Sequence, residues 1–108
     1  MSERDLQQAI QTLLGYKGIQ SIRSRMDTRT SNNIGTPDFL FAVKGQAVAW
    51  EAKLPKKPLS LEQTVMRSRL EHDGWKYAVI HTIDEAITEL KTYERTEGPR
   101  PAVVIPDR

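Results

Sequence analysis

Gly35-Thr36-Pro37-Asp38-Phe39-Leu40-Phe41-Ala42-Val43-Lys44-Gly45-Gln46-Ala47-Val48-Ala49-Trp50-Glu51-Ala52-Lys53 is the stretch whose reading decides the fold. Two apolar runs, residues 39–43 and 47–50, flank Lys44-Gly45-Gln46. That length and punctuation predict a β-hairpin with a glycine-containing loop. The polar residues lie at its ends: Asp38 follows Pro37 as the first strand begins, and Glu51 and Lys53 close the second. Side chains two apart on a strand share a face, so Glu51 and Lys53 project together while Ala52 points away. Folding the hairpin back then brings Asp38, Glu51 and Lys53 to one edge of the sheet.

Two carboxylates and a lysine at a strand edge suit one kind of chemistry. Hard cations such as Mg²⁺ take oxygen ligands, typically one or two carboxylates plus waters and substrate phosphates. Such an ion polarises a phosphate and lowers the pKa of water. A neighbouring lysine can position or deprotonate an attacking water and balance charge that develops on the phosphate. A solvated strand end with an ordinary Glu–Lys pair would carry the same residues and contribute little to stability. The rest of the chain has to decide between the two.

At 108 residues, with 38% hydrophobic and 28% charged, the expectation is a single globular domain with one modest core. There is no apolar run of membrane-spanning length and no signal-peptide pattern, so no membrane association is expected. The absence of cysteine excludes disulfides, thiolate zinc sites and a cysteine nucleophile, and it fits a cytoplasmic protein. The net charge of +2 is unevenly spread. Residues 16–57 hold eight Lys/Arg against three Asp/Glu, whereas residues 58–108 hold seven against nine. The basic stretch contains the candidate site, as a phosphate-backbone partner would favour.

Outward from the hairpin, residues 2–14 read as an amphipathic helix with Ser2 as N-cap and Leu6, Ile10, Leu13 and Leu14 as its stripe, stopped by Gly15 and Gly18. Glu3 falls within the arc of that stripe and Gln7 at its edge. A weak strand follows over residues 19–26. Residues 27–35 form a polar loop carrying Arg29 and Asn33, suited to contacting phosphate. Two prolines in Leu54-Pro55-Lys56-Lys57-Pro58 end the hairpin. Ser60 and Gln63 then open a second helix as a capping box, with Leu61, Val65, Met66 and Leu70 as its apolar face and Gly74 as its stop. Gln63 can serve as a cap or face inward with Leu59, Met66 and Leu70. Residues 76–81 are a short buried strand ending at His81, which reads as a structural hydrogen-bonding residue. Thr82 and Glu85 cap a third helix that runs to about residue 96. Residues 1–98 form the domain, and residues 99–108 a tail suited to an edge strand or a dimer contact.

Helix, strand, hairpin, helix, strand, helix makes an α/β fold with helices on the faces of the sheet. With Glu3 and Gln7 on the first helix, Gly35-x-Pro37-Asp38, Glu51-Ala52-Lys53, Leu59-Ser60-x-x-Gln63 and Gly74-x-x-x-x-Val79 in this order, the chain resembles a stand-alone VRR-NUC domain. That is the virus-type replication-repair branch of the PD-(D/E)XK nuclease superfamily. The resemblance implies a restriction-endonuclease-like core, a mixed central β-sheet flanked by α-helices. It implies Asp38 and Glu51 as metal-binding carboxylates, the Ala52 carbonyl as a further ligand, Lys53 as the catalytic lysine and Gln63 as the helix glutamine that orients the lysine or water. It also implies that Glu3 contributes to the metal site. The implied activity is a Mg²⁺- or Mn²⁺-dependent DNA endonuclease, selective for branched, flap or junction DNA in replication and repair. It would need no organic cofactor and would work as a homodimer in a bacterial or phage-infected cell. Candidate nucleic-acid contacts are Arg23, Arg25, Arg29, Asn33, Lys56, Lys57 and Arg67. A small restriction-type or junction-resolvase-type nuclease of the same superfamily is one alternative. A catalytically inert nucleic-acid-binding module is the other.

Overall fold

A computed structural model describes residues 1–24 and 35–95. The elements run α1 (Glu3–Tyr16), β1 (Ser21–Arg23), β2 (Phe39–Val43), β3 (Gln46–Ala52), α2 (Leu61–His72), β4 (Lys76–Ile80) and α3 (Ile83–Arg95). The four strands make one sheet in the order β1-β2-β3-β4, antiparallel from β1 to β3 and parallel between β3 and β4. The fold is therefore α/β, as the element order predicts, and its sheet is mixed. The expected strand over residues 19–26 is shorter, and its last two residues lie outside the described ones. Those two include Arg25, and residues 27–34 of the polar loop, with Arg29 and Asn33, and the tail of residues 99–108 lie outside as well.

The hairpin turns tighter than expected. Val43 pairs with Gln46, so only Lys44 and Gly45 form the loop, both at positive φ (51° and 81°). This is the type I′ pattern, whose twist matches that of paired strands. Lys44 extends its ammonium to the Glu94 carbonyl near the end of α3.

Alternation along the strands divides the sheet into two faces. Phe39, Phe41, Val48, Trp50, Ala52 and Ile80 pack with Leu6, Ile10 and Leu14 of α1 and with Ala86, Leu90 and Tyr93 of α3. Trp50 lies at the centre of this core. Phe41 meets it edge-on at 5.0 Å between centroids, and its indole N–H donates to the Tyr93 hydroxyl at 2.9 Å. That hydroxyl donates on to Glu89 at 2.8 Å, so the buried polar atoms are satisfied in a chain. Burial raises the Tyr93 pKa, with the Trp50 hydrogen bond pulling it down and the Glu89 hydrogen bond pushing it up.

The helix ends bear out most of the capping reading. Ser2 and Asp5 form a reciprocal capping box on α1. Gly15, expected to stop this helix, lies inside it. The chain turns at Gly18, where φ is 73°, a value that costs glycine little. At α3, Thr82 accepts from the Glu85 N–H at 3.2 Å, but the Glu85 carboxylate takes the His81 N–H at 2.9 Å, one residue earlier than a capping box would.

The second helix departs further from expectation. It begins with the Ser60–Gln63 capping box, but no residue of α2 is buried. Leu61 and Val65, read as part of its apolar face, are 76% and 42% exposed. Helix α2 covers the face of the sheet opposite α1 and α3, where Asp38, Ala49, Glu51 and Tyr77 project. Its half-buried residues are Gln63, Met66, Arg67 and Leu70, so polar contacts from Gln63 and Arg67 join Met66 and Leu70 of the expected apolar face.

Candidate active site

The β2–β3 register pairs Phe39 with Trp50, which sets Asp38 across from Glu51 on the same side of the sheet. The Asp38 side chain is held there: its Oδ2 accepts the Ala52 N–H at 2.9 Å. Ala52 is fully buried with its side chain in the core, as expected. Glu51 is only 3% exposed, the one buried charged residue among the described residues.

Gln63 performs both of the roles its position allowed. Its Oε1 accepts the Ser60 N–H at 2.8 Å, closing the capping box, while its Nε2 donates to Glu51 Oε2 at 3.0 Å. A backbone N–H can only donate, so the cap fixes which end of the amide faces Ser60 and which faces the carboxylate. The amide therefore arrives at Glu51 already oriented. Gly35 brings the start of α2 close enough for this. At φ 83°, its backbone lies so near the Glu62 carbonyl that an added Cβ would sit 2.5 Å from that oxygen.

The other oxygen, Glu51 Oε1, is buried with no hydrogen-bond partner. Burial, then the charge of Asp38, then a hydrogen bond that Asp38 can share with a protonated Glu51 push the Glu51 pKa up to about 9, with Lys53 pulling the other way. Two carboxylates side by side cannot both ionise cheaply in a desolvated place. A proton or a cation has to sit between them. Lys53 follows one strand step beyond Glu51, half-buried, and the ammonium groups of Lys53, Lys56 and Lys57 form no ion pair among the described residues.

Asp38, Glu51, Lys53 and Gln63 are thus neighbours. Glu3 is a more distant one. Its charge acts on Glu51 more weakly than those of Asp38 and Lys53, and among the described residues no three Asp, Glu, His or Cys side chains converge tightly enough to hold a metal. Arg23 is engaged elsewhere. It donates to Gln11 at 2.7 Å and to Gln7 at 2.8 Å, and lies 5.5 Å from the centre of the Phe39 ring, tying β1 to α1. Gln7 serves that contact. Arg67 lies over the Tyr77 ring at 5.2 Å and pairs with Glu71 at 3.4 Å.

Tyr77 was not legible as a site neighbour. Its hydroxyl is buried without a partner, and its pKa is raised by burial and then by the charge of Glu51. Only the parallel register, Ala49 with Tyr77 and Glu51 with Val79, puts it on the same face as the carboxylates. Comparison with protein families, with curated proteins and with solved structures gave no match to this chain.

Proposed function

We propose that this chain is a divalent-metal-dependent nuclease of the PD-(D/E)XK type, in its VRR-NUC branch, hydrolysing DNA phosphodiesters. One observation carries the reading: buried Glu51 beside half-buried Asp38, with an orphaned Glu51 oxygen and a lysine, unpaired among the described residues, two positions further along the chain. A purely structural carboxylate would have found donors for both oxygens. The order helix, three antiparallel strands, helix, parallel strand also agrees with the core that the resemblance implies.

The donor set fits a hard cation. Asp38 and Glu51 would hold Mg²⁺ or Mn²⁺, with the Ala52 carbonyl beside them. When bound, that ion supplies Lewis-acid polarisation of the phosphate and lowers the pKa of water. The remaining work falls to the side chains. Gln63 holds Glu51 in one orientation through Nε2, leaving Oε1 directed away from the amide. Lys53 offers a mobile ammonium to position the attacking water and offset charge on the phosphate. Asp38 is kept from rotating by the Ala52 N–H. The same reading has the chain acting as a homodimer on branched, flap or junction DNA, with no organic cofactor.

The test is cleavage of a labelled panel of single strand, duplex, flap, nicked duplex and four-way junction, with Mg²⁺, Mn²⁺ or EDTA. Lys53→Ala serves as the contamination control. Metal-dependent products that vanish in the variant are expected. Tight binding with no product under any metal would instead establish the inert binding module, and sequence-specific cutting of plain duplex the restriction-type alternative.

A further inference from the structure

The segment leaving the site is built in an unexpected way. The Lys57 N–H donates to the Leu54 carbonyl at 3.1 Å, Pro55 occupies the second position, and Lys56 holds φ 70° at the third. This is a type II turn, whose third position ordinarily takes glycine because a side chain there is strained. Strain of this kind persists only where the surroundings over-determine it, and it gathers at working sites.

The surroundings do hold it. The Lys53 N–H donates to the Ile80 carbonyl at 3.0 Å, extending the β3–β4 ladder one step past Ala52. His81, at the end of β4, lies with Nδ1 3.1 Å from the Lys53 carbonyl and 3.4 Å from that of Leu54. Both carbonyls can only accept, so Nδ1 carries the hydrogen and the ring clasps the base of the turn. The His81 backbone N–H is in turn held by Glu85. Pro55 stiffens the first half, and the exposed Lys56 and Lys57 are left with no acidic partner among the described residues.

We infer that the Leu54–Lys57 turn is a preformed clamp for the nucleic-acid backbone, with Lys56 and Lys57 as its phosphate contacts and His81 as the residue that positions it. This rests on the nuclease reading and adds where the substrate strand is held relative to Lys53. A rigid turn binds phosphate without first losing the freedom a floppy lysine loop would lose. The strained lysine is the mark of the arrangement. Glycine would relax the backbone and cost the contact.

The experiment measures binding of a labelled short duplex in EDTA by fluorescence anisotropy over a series of NaCl concentrations, alongside melting curves and metal-dependent cleavage. Lys56→Gly is expected to raise Tm by about 3 °C while the slope of log affinity against log salt falls by about one. Lys56→Gln with Lys57→Gln should lower the slope by about two. His81→Ala should weaken binding about fivefold at unchanged slope, and His81→Asn, which can place an amide N–H where Nδ1–H stood, should restore it. Wild-type cleavage together with an unchanged slope in Lys56→Gly overturns the clamp and leaves the nuclease standing. A lowered Tm in Lys56→Gly overturns it too, since the turn would then not be strained. A wild-type protein that neither binds nor cuts DNA removes the nuclease reading and the clamp with it.

Discussion

Glu51→Gln should make the metal-free protein more stable, and the gain should grow with pH. In the folded chain the Glu51 carboxyl titrates near 9 against an ordinary 4.5, because it is buried and faces Asp38. A carboxyl with a raised folded pKa binds more protons folded than unfolded. Its burial is therefore least costly below pH 4.5, and stability is lost progressively as pH rises toward about 9. At about 1.4 kcal/mol per pH unit, keeping Glu51 protonated at pH 7 costs about 3 kcal/mol. Glutamine keeps the shape, accepts from Gln63 and can donate to Asp38 with nothing to titrate. The variant should match the wild type near about pH 4 and exceed it by about 3 kcal/mol at neutral pH, or about 13 °C in Tm. Urea unfolding in EDTA between about pH 5 and about pH 8 measures this directly. Wild-type stability should fall across that window while the variant's stays level. Mg²⁺ should raise the wild-type Tm and leave the variant's unchanged, because only the carboxylate pair binds the ion. Parallel pH profiles for the two proteins would refute the burial argument and remove the main support for a metal site.

Gln63→Glu preserves the capping-box acceptor for the Ser60 N–H but places a carboxylate where Nε2 donated to Glu51. Helix content should hold while cleavage falls on the order of a hundredfold, and near-normal turnover would deny the amide its orienting role. Gly35→Ala forces a Cβ against the Glu62 carbonyl and strains a positive φ. It should lower stability by about 2 kcal/mol in urea titrations, and a change under about 0.5 kcal/mol would mean that α2 can simply shift. Arg23→Ala should lower stability by about 1–2 kcal/mol through loss of its bonds to Gln7 and Gln11, with the salt dependence of DNA binding unaltered. A salt slope reduced by about one would restore Arg23 as a phosphate contact.

Local pattern was enough for much of the molecule. Alternation placed the hairpin, and period-two geometry sent Ala52 inward while Glu51 and Lys53 went the other way. A serine hydroxyl three residues before Asp5, and another three before the Gln63 amide, located the helix starts at Ser2 and Ser60. These signals are legible because they act between residues a few positions apart, where backbone geometry leaves little freedom. The apolar face assigned to α2 holds only in part, for the complementary reason. Met66 and Leu70 are half-buried, but Leu61 and Val65, which also have helical spacing, stay exposed because a narrower arc of α2 meets the sheet.

The sequence by itself determined the elements, their order and the four residues Asp38, Glu51, Lys53 and Gln63 that belong together. Only the tertiary structure decided what those residues experience. That Gln63 both caps α2 and reaches Glu51 depended on how near Gly35 lets α2 approach. Whether Arg23 faces a substrate or the first helix depended on which side of β1 met α1. That Tyr77 stands near Glu51 and that His81 clasps the turn after Lys53 both follow from the parallel β3–β4 pairing, whereas the raised Glu51 pKa follows from its burial and from Asp38 across the β2–β3 register. The β3–β4 pairing joins segments more than 20 residues apart. Desolvation and charge coupling arise from the sum of everything packed around an atom, and no local stretch of the chain contains that sum.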